Sequence, residues 1–500
     1  MTQTIATIAL IIFSLLMVTI GIKSYGKTKN MQDFLLGGRK IGAWMSAFAY
    51  GTSYFSAVIF IGYAGKTGWN IGLGGIWVGI GNALLGSALA WLLLAKRTHR
   101  MTRTLEANTM PEFFAKRYKD PKMKIYSALI IFIFLLPYAA SVYMGLGYLF
   151  NSIFPGVPVE TCMIIIAVLS AFYLVLGGYV ATAITDFIQG VIMLAGIVVM
   201  VICIVTNPQV GGIAAGLEKL KGIDVNLTNI FGGVNWLTLL STVLLTSFGT
   251  WGLPQMVHKF YAIKDDAAIK KGTIIATVFA AIIGCGAYFS GIFGRLFLNN
   301  TLPVEGYDKV VPDMLIAALG NDVFGNVVLS VILLLILSAS MSTLSSVVLA
   351  SSSAISVDLL EQVKPDVDKK KQMLFMRTLC CVFVILSCAC AIGKISFIIA
   401  LMSFSWGTVS GCFIGPYVWG LYSKKVTKAG AWSGMIAGLV TVLSLVIVTT
   451  AVSGFSAATA NSPLYGVIAM VVSIIIVPLV SMFTRKLNCA DVDAAFSNIK

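Results

Sequence analysis

Long apolar runs alternate with short polar segments along the whole chain. Residues 1–22, 67–95, 187–217, 323–357 and 429–484 hold no charged side chain. A helix that crosses hydrocarbon needs about 20 apolar residues. The pattern predicts thirteen such helices, at roughly 4–22, 42–65, 73–95, 125–152, 157–178, 181–206, 236–256, 272–297, 322–354, 373–392, 395–421, 428–450 and 464–484. The 429–484 run is long enough for two helices, divided by the turn residues Ser453, Gly454, Asn461, Ser462 and Pro463. The first helix has no basic leader and no clear small-residue cleavage site, so it reads as part of the fold. The expected fold is all-α and polytopic.

Composition sharpens this. Apolar residues make up 58% of the 500 and charged residues only 11%, less than half of the roughly 25% usual in soluble domains. A soluble enzyme is excluded, and so is a nucleic-acid partner, despite a net charge of +15. The charge is a record of topology. With the N-terminus outside, segments 23–40, 96–124, 259–271, 364–377, 424–428 and 485–500 face inside and carry 29 of the 35 Lys and Arg residues. Lys66, Lys219, Lys221, Arg295, Lys309 and Lys394 remain outside. Cytoplasmic loops concentrate Lys and Arg, so the C-terminus is expected in the cytoplasm and the protein in the cell membrane. The lipid bilayer is its expected surrounding, with some attraction to anionic lipid. Segment 109–120 reads as a short amphipathic helix on the cytoplasmic surface.

No catalytic triad, HExxH or phosphate loop is present, so neither an enzyme nor ATP-driven transport is expected. The nine cysteines show neither a disulfide framework nor a metal-site pair. Only a short segment follows Arg485, which argues against a sensor with a cytoplasmic signalling domain.

The informative residues are the polar ones inside apolar runs. In the second helix, Gly51-Thr52-Ser53-Tyr54-Phe55-Ser56 sits at mid-span. In the seventh, Gly249-Thr250-Trp251-Gly252-Leu253-Pro254-Gln255 does the same. Irregular backbone at that depth is tolerated only where it is buried in protein or lines a cavity. The freed carbonyls are ligands for an alkali cation, and half-helix N-termini suit an anionic group. The two segments open matching five-helix stretches, 42–206 and 236–421. This suggests a 5+5 inverted repeat, with segment 1–41 before it, loop 207–235 between, and two further helices in 422–500. In the ninth helix Ala339, Ser342, Thr343 and Ser346 share one face. They either complete an oxygen cage or hydrogen-bond neighbouring helices. Asp186 is a carboxylate within a span, a functional candidate by default. The glycines around Gly74, Gly79 and Gly86 read as a packing face.

On these residues the chain resembles the sodium:solute symporter family, which has the LeuT-type fold. The resemblance is carried by the second helix, the segment from Gly178 to Gln189, Gly252-Leu253-Pro254-Gln255, Met341 to Ser346, and Gly415-Pro416-Tyr417-Val418-Trp419 leading to Gly430. It implies a sodium site made of the carbonyls of Thr52, Phe55 and Ala339 and the hydroxyls of Ser342 and Thr343. Resemblance to the sialic acid symporters implies a second sodium site at Asp186, Ser342, Ser345 and Ser346. One sodium ion is expected per cycle, or two if both sites serve.

For the solute the resemblance is divided. Proline symporters carry Asp where this chain has Tyr54 and Trp where it has Val58. Their aromatic pair corresponds to Thr246 and Thr250, and Tyr138 is kept. The Tyr54 to Ala57 run resembles pantothenate and monocarboxylate symporters, which carry His at Gln255. The implied pocket is Ser53, Tyr54, Tyr138, Thr250, Trp251, Gln255 and Ser405. The expected function is sodium-coupled import of a small carboxylate or amino acid by a monomer. A sugar or sialic acid, or proton coupling through Asp186, are the alternatives.

Overall fold

Hydrocarbon offers no partner to backbone amides and carbonyls, so a spanning chain satisfies them within helices. The computed structural model describes residues 2–25, 31–320, 322–364, 367–394 and 396–498, without the side chains at 2, 24, 25, 173–178 and 180. Among the described residues the only β-pairing is an isolated bridge between Ile41 and Ile263.

The main helices are α1 (Thr2–Tyr25), α2 (Ala43–Tyr54), α3 (Val58–Asn70), α4 (Gly72–Thr104), α5 (Met110–Tyr118), α6 (Pro121–Ile153), α7 (Val159–Thr206), α8 (Gly233–Trp251) and α9 (Pro254–Ala262). They continue as α10 (Asp266–Phe297), α11 (Val310–Leu319), α12 (Val323–Val363), α13 (Lys369–Ile392), α14 (Ile398–Tyr422), α15 (Lys428–Ser453), α16 (Ser462–Phe483) and α17 (Cys489–Phe496).

Ten of the described helices are long and apolar enough to cross a membrane, or up to 12 if α2–α3 and α8–α9 each count as one bent span. The expected count was thirteen. The difference lies in α7, where two helices were expected with a turn near residue 178. That turn falls on 173–178 and 180, whose side chains lie outside the described residues. Several helices also outrun their apolar runs. For example, α4 continues through basic residues to Thr104, where Arg103 donates to the Lys264 carbonyl at 2.9 Å, and Arg39 donates to the Ala107 carbonyl just beyond the helix at 2.6 Å.

The helices sort by burial. The most apolar stretches of α12 and α14 are 83% and 89% buried, whereas those of α1 and α15 are 22% and 17% buried. The Ser-rich α12 is therefore central, packed against α7, α6 and α2. Exposed Ile and Leu side chains on α1 and Ile and Val side chains on α15 form an apolar outer surface. The α4 glycines do pack closely: a Cβ at Gly79 would stand 2.6 Å from the Cys285 nitrogen of α10.

One surface expectation is corrected. Segment α5 is a helix, but Phe113, Phe114 and Tyr118 are fully buried. Phe113 and Phe114 pack edge-on and tilted against Tyr417 and Phe413 of α14. It is a wedge inside the protein rather than a helix lying on a lipid surface. Its aromatic side chains are as well suited to α14 as to a membrane interface, and the sequence pattern does not separate the two.

Several polar contacts join residues from segments expected on the same side. Arg100 pairs with Asp266 at 2.6 Å, Lys119 with Asp491 at 3.1 Å and Lys428 with Asp120 at 3.0 Å. All six residues come from, or directly adjoin, segments expected on one side. On the other, Lys394 pairs with Glu160 at 2.6 Å and Arg295 donates to the Trp69 carbonyl at 2.7 Å.

Candidate functional site

The break between α2 and α3 begins where Gly51, Thr52 and Ser53 interrupt the apolar run. After Tyr54 the backbone turns extended at Phe55 (φ −100°, ψ 130°), and the two segments meet at a bend of 49°. The first amides of the second segment are already used: Ala57 N–H donates to Ser340 Oγ at 2.9 Å and Val58 N–H to Ser56 Oγ at 3.3 Å. This half-helix start is thus not free for an anion. The α8–α9 pair bends by 43°. A 3-10 turn at Gly249–Trp251 leads to an extended Leu253, and Pro254 starts α9. Ser410 of α14 holds the break by donating to the Gly249 carbonyl at 2.5 Å.

At the first break the freed carbonyls converge on α12. The Thr343 hydroxyl lies 3.0 Å from the Ala339 carbonyl, 3.3 Å from that of Ser53, and 3.4 Å from those of Thr52 and Phe55. One hydroxyl carries one hydrogen and serves one of these four acceptors. The remaining lone pairs point into the same small volume. Ser342 Oγ donates to Thr52 Oγ1 at 2.8 Å at its edge. Thr52, Phe55, Ala339, Ser342 and Thr343 are all brought together, and the Ser53 carbonyl joins them. Thr52, Ser342 and Thr343 are fully buried. A dry cluster of neutral oxygens short of hydrogen donors suits a hard monovalent cation, by the logic that gives calcium and magnesium their oxygen ligands.

The residues of the expected second site are gathered differently. Ser342 faces the first cluster. Ser345 Oγ bonds its own helix, to Met341 and Ser342 carbonyls at 3.0 and 2.9 Å. The Ser342 hydroxyl also lies within reach of the Asp186 carboxylate, so Asp186, Ser342 and Ser346 come together, and a residue missed in the sequence stands between Asp186 and Ser346. Lys259 Nζ lies 3.5 Å from Asp186 Oδ2 and donates to Ser346 Oγ at 2.9 Å. Lys259 is 2% exposed and Asp186 0%. It was counted among the cytoplasmic charges, and that is corrected: helix α9 carries it inward. The sequence signal was its place five residues after Pro254, within the half-helix that the break starts.

The solute candidates cluster around an aromatic wall. Tyr54 stacks on Phe55 with ring centroids 4.8 Å apart, and lies 6.3 Å from Trp406. Tyr138 meets Trp406 edge-on at 5.4 Å, and its hydroxyl faces Ser56, Thr343 and Trp406. Trp406 was not singled out from the sequence, where it is one aromatic in an apolar helix. Tyr54 donates to the Thr246 carbonyl at 2.7 Å, Trp251 to that of Leu85 at 3.1 Å, and Thr250 to that of Gly86 at 3.2 Å. These three hold α2, α4 and α8 in place. Ser53 exchanges a bond with Ser346 at 2.8 Å. By contrast, both amide atoms of Gln255, the Ser405 hydroxyl and the Trp406 indole nitrogen are buried without a partner.

The sodium:solute symporter family model matches residues 34–438. The chain belongs to this family. Relatives in the family include the high-affinity proline transporter PutP of Bacillus subtilis, 31% identical over 432 residues, covering 85% of this chain and 89% of that one. The sodium/proline symporter of Staphylococcus aureus is 29% identical over 488 residues, covering 96% and 93%. Among solved structures, the substrate-bound, outward-open state of a Na+-coupled sialic acid symporter superposes with a TM-score of 0.79 at 18% identity, covering 97% of this chain and 99% of that one. The fold is therefore that of a sodium:solute symporter. Membership makes the chain a sodium-coupled importer of a small solute, and the oxygen cluster between the broken α2–α3 pair and α12 lies where the family resemblance set its sodium.

Proposed function

We propose that the protein imports a small amino acid or carboxylate with sodium, and that Thr52, Phe55, Ala339, Ser342 and Thr343 hold the ion. The observation that carries this is the convergence of four carbonyls on the single Thr343 hydroxyl. Because its ligands come from α2 and α12, bound sodium fixes the position of one helix against the other. Loss of the ion frees them to rock, which is alternating access around a central site. The Tyr138 hydroxyl, beside both Thr343 and Trp406, ties the solute wall to the ion cage. Coupling is reciprocal, so the solute tightens sodium binding by the factor that sodium tightens the solute.

Proline is the first solute to try, since the relatives named above carry it. The pocket departs from theirs by resemblance at Tyr54 and Val58, and here the Tyr54 hydroxyl is spent on Thr246. The polar groups left over, on Gln255, Ser405 and Trp406, are neutral, which favours a small carboxylate or zwitterion held by hydrogen bonds. Segments 42–206 and 236–421 are proposed as inverted repeats, each opened by a broken pair. The N-terminus is proposed outside, the C-terminus cytoplasmic, and the working unit a monomer.

A thermal-shift screen of amino acids, carboxylates and sugars, each with sodium and with potassium in its place, tests the reading. Ligand binding to the folded state raises apparent stability. Proline or another small amino acid or carboxylate should raise the melting temperature only with sodium. A shift of equal size in potassium, or a hit confined to sugars, would refute it.

A further inference from the structure

The Asp186 cluster has what a sodium site needs except room. A cation bound there would be held by a buried carboxylate and by the hydroxyls on one stripe of α12. In this chain an ammonium stands in that position. Lys259 Nζ is 3.5 Å from Asp186 Oδ2 and 2.9 Å from Ser346 Oγ. It also lies 5.3 Å from the centroid of the Tyr179 ring, within the reach of a cation–π contact. Ser346 passes the contact on, since its hydroxyl meets Ser53 Oγ at 2.8 Å, next to the carbonyl of Thr52. The Ser342 hydroxyl also lies beside the Asp186 carboxylate, whose Oδ1 is buried without a hydrogen bond of its own.

The residues present therefore do not fit a second sodium ion. Ser342 is shared, bonding Thr52 in the first cage while lying beside Asp186, and Ser345 is turned to its own helix. The Asp186 carboxylate, with Ser342 and Ser346 beside it, is neutralised by a cation that cannot leave because it is part of the chain. A further monovalent ion at that place would meet a like charge in a dry environment, which disfavours it strongly.

We infer that Lys259 is a built-in replacement for a second sodium ion, so that the chain couples its solute to a single sodium. The ammonium supplies the charge that holds α7, α9 and α12 together around Asp186, and it supplies it in every state of the transport cycle without being drawn from the medium. The consequence is quantitative. A symporter coupled to one ion can build a solute gradient up to the first power of the sodium gradient, not its square. This inference rests on the sodium reading above, so its test counts ions without any solute.

Binding of radiolabelled sodium to the purified full-length protein, at saturation and without solute, gives the count. The expected result is one ion per wild-type chain and two per chain of Lys259→Ala, which removes the ammonium and opens space beside Asp186. The double variant Lys259→Ala/Asp186→Asn should return to one, and Lys259→Arg should stay at one because it keeps a cation. Two ions in the wild type, or one in a folded Lys259→Ala, would overturn the inference. If Lys259→Ala fails to fold, the wild-type count decides alone. No bound sodium in the wild type would instead overturn the first cage, and with it the single-sodium reading.

Discussion

Two polar clusters share helix α12 within one turn of each other, and they are built on opposite principles. Around Thr343 every ligand is neutral, and four carbonyls compete for one hydroxyl hydrogen. Around Ser346 the charges are supplied by the chain itself, Asp186 against Lys259. A neutral cage has positive charge to gain and so can exchange an ion with water at each turn of a cycle. A charge pair is already neutralised, and its removal from water is repaid only while both members stay. The first cluster is suited to cargo and the second to structure, although in sequence both read as serine-rich sodium sites.

The largest effect separates the two at once. Asp186→Asn leaves the Lys259 ammonium buried without its carboxylate, which typically costs about 3–5 kcal/mol. Denaturation in detergent should show a strongly lowered midpoint, and Asp186→Asn/Lys259→Met should recover most of it. If the double variant is as unstable as the sum of the singles, the pair is not a unit.

A smaller loss is expected at Gly86 of α4. A Cβ there would stand 2.0 Å from the Tyr54 hydroxyl, so Gly86→Ala must displace that ring and its bond to Thr246. Overpacking of this kind costs about 1–3 kcal/mol. The solute affinity should fall about tenfold, equivalent to ~1.4 kcal/mol, while sodium binding at Thr343 stays within about twofold. Equal losses in both would mean that Tyr54 supports the ion cage rather than the solute wall.

The smallest effect on the fold belongs to Gln255. Its amide has no protein partner, so Gln255→Ala breaks no hydrogen bond and removes two buried unpaired polar atoms, and it should cost less stability than either change above. Solute affinity should nevertheless drop, read as a raised KM for uptake with little change in maximal rate. An unchanged KM would remove Gln255 from the pocket.

Much of this was legible in the sequence, for identifiable reasons. Bilayer thickness and the cost of unpaired backbone leave few ways to place charge-free runs, so most of the helices could be assigned. Gly and Pro at mid-span marked both breaks, and a helical stripe placed Ser342 and Thr343 on one face. Lys259 was hidden because a lysine at the end of an apolar run looks like a loop charge. Only the bend at Gly252 and Leu253, which aims α9 back into the protein, places its ammonium at Asp186. Trp406 was hidden for another reason: an indole in an apolar helix gives no sign of facing a cavity. The α5 wedge failed likewise, since its aromatic stripe fits a membrane surface and a protein groove equally well.

The central claim is that sodium binds the neutral cage on α2 and α12. It is tested most directly by titrating sodium against the thermal stability of the wild type and of Thr343→Ala, with potassium holding ionic strength constant. The expected result is a saturable rise in melting temperature for the wild type. For Thr343→Ala the expected result is a lower starting stability, since a buried carbonyl loses its hydroxyl donor, with the rise abolished or displaced at least about tenfold in sodium, ~1.4 kcal/mol of binding. An identical sodium response in the two proteins, or none in the wild type, would contradict it.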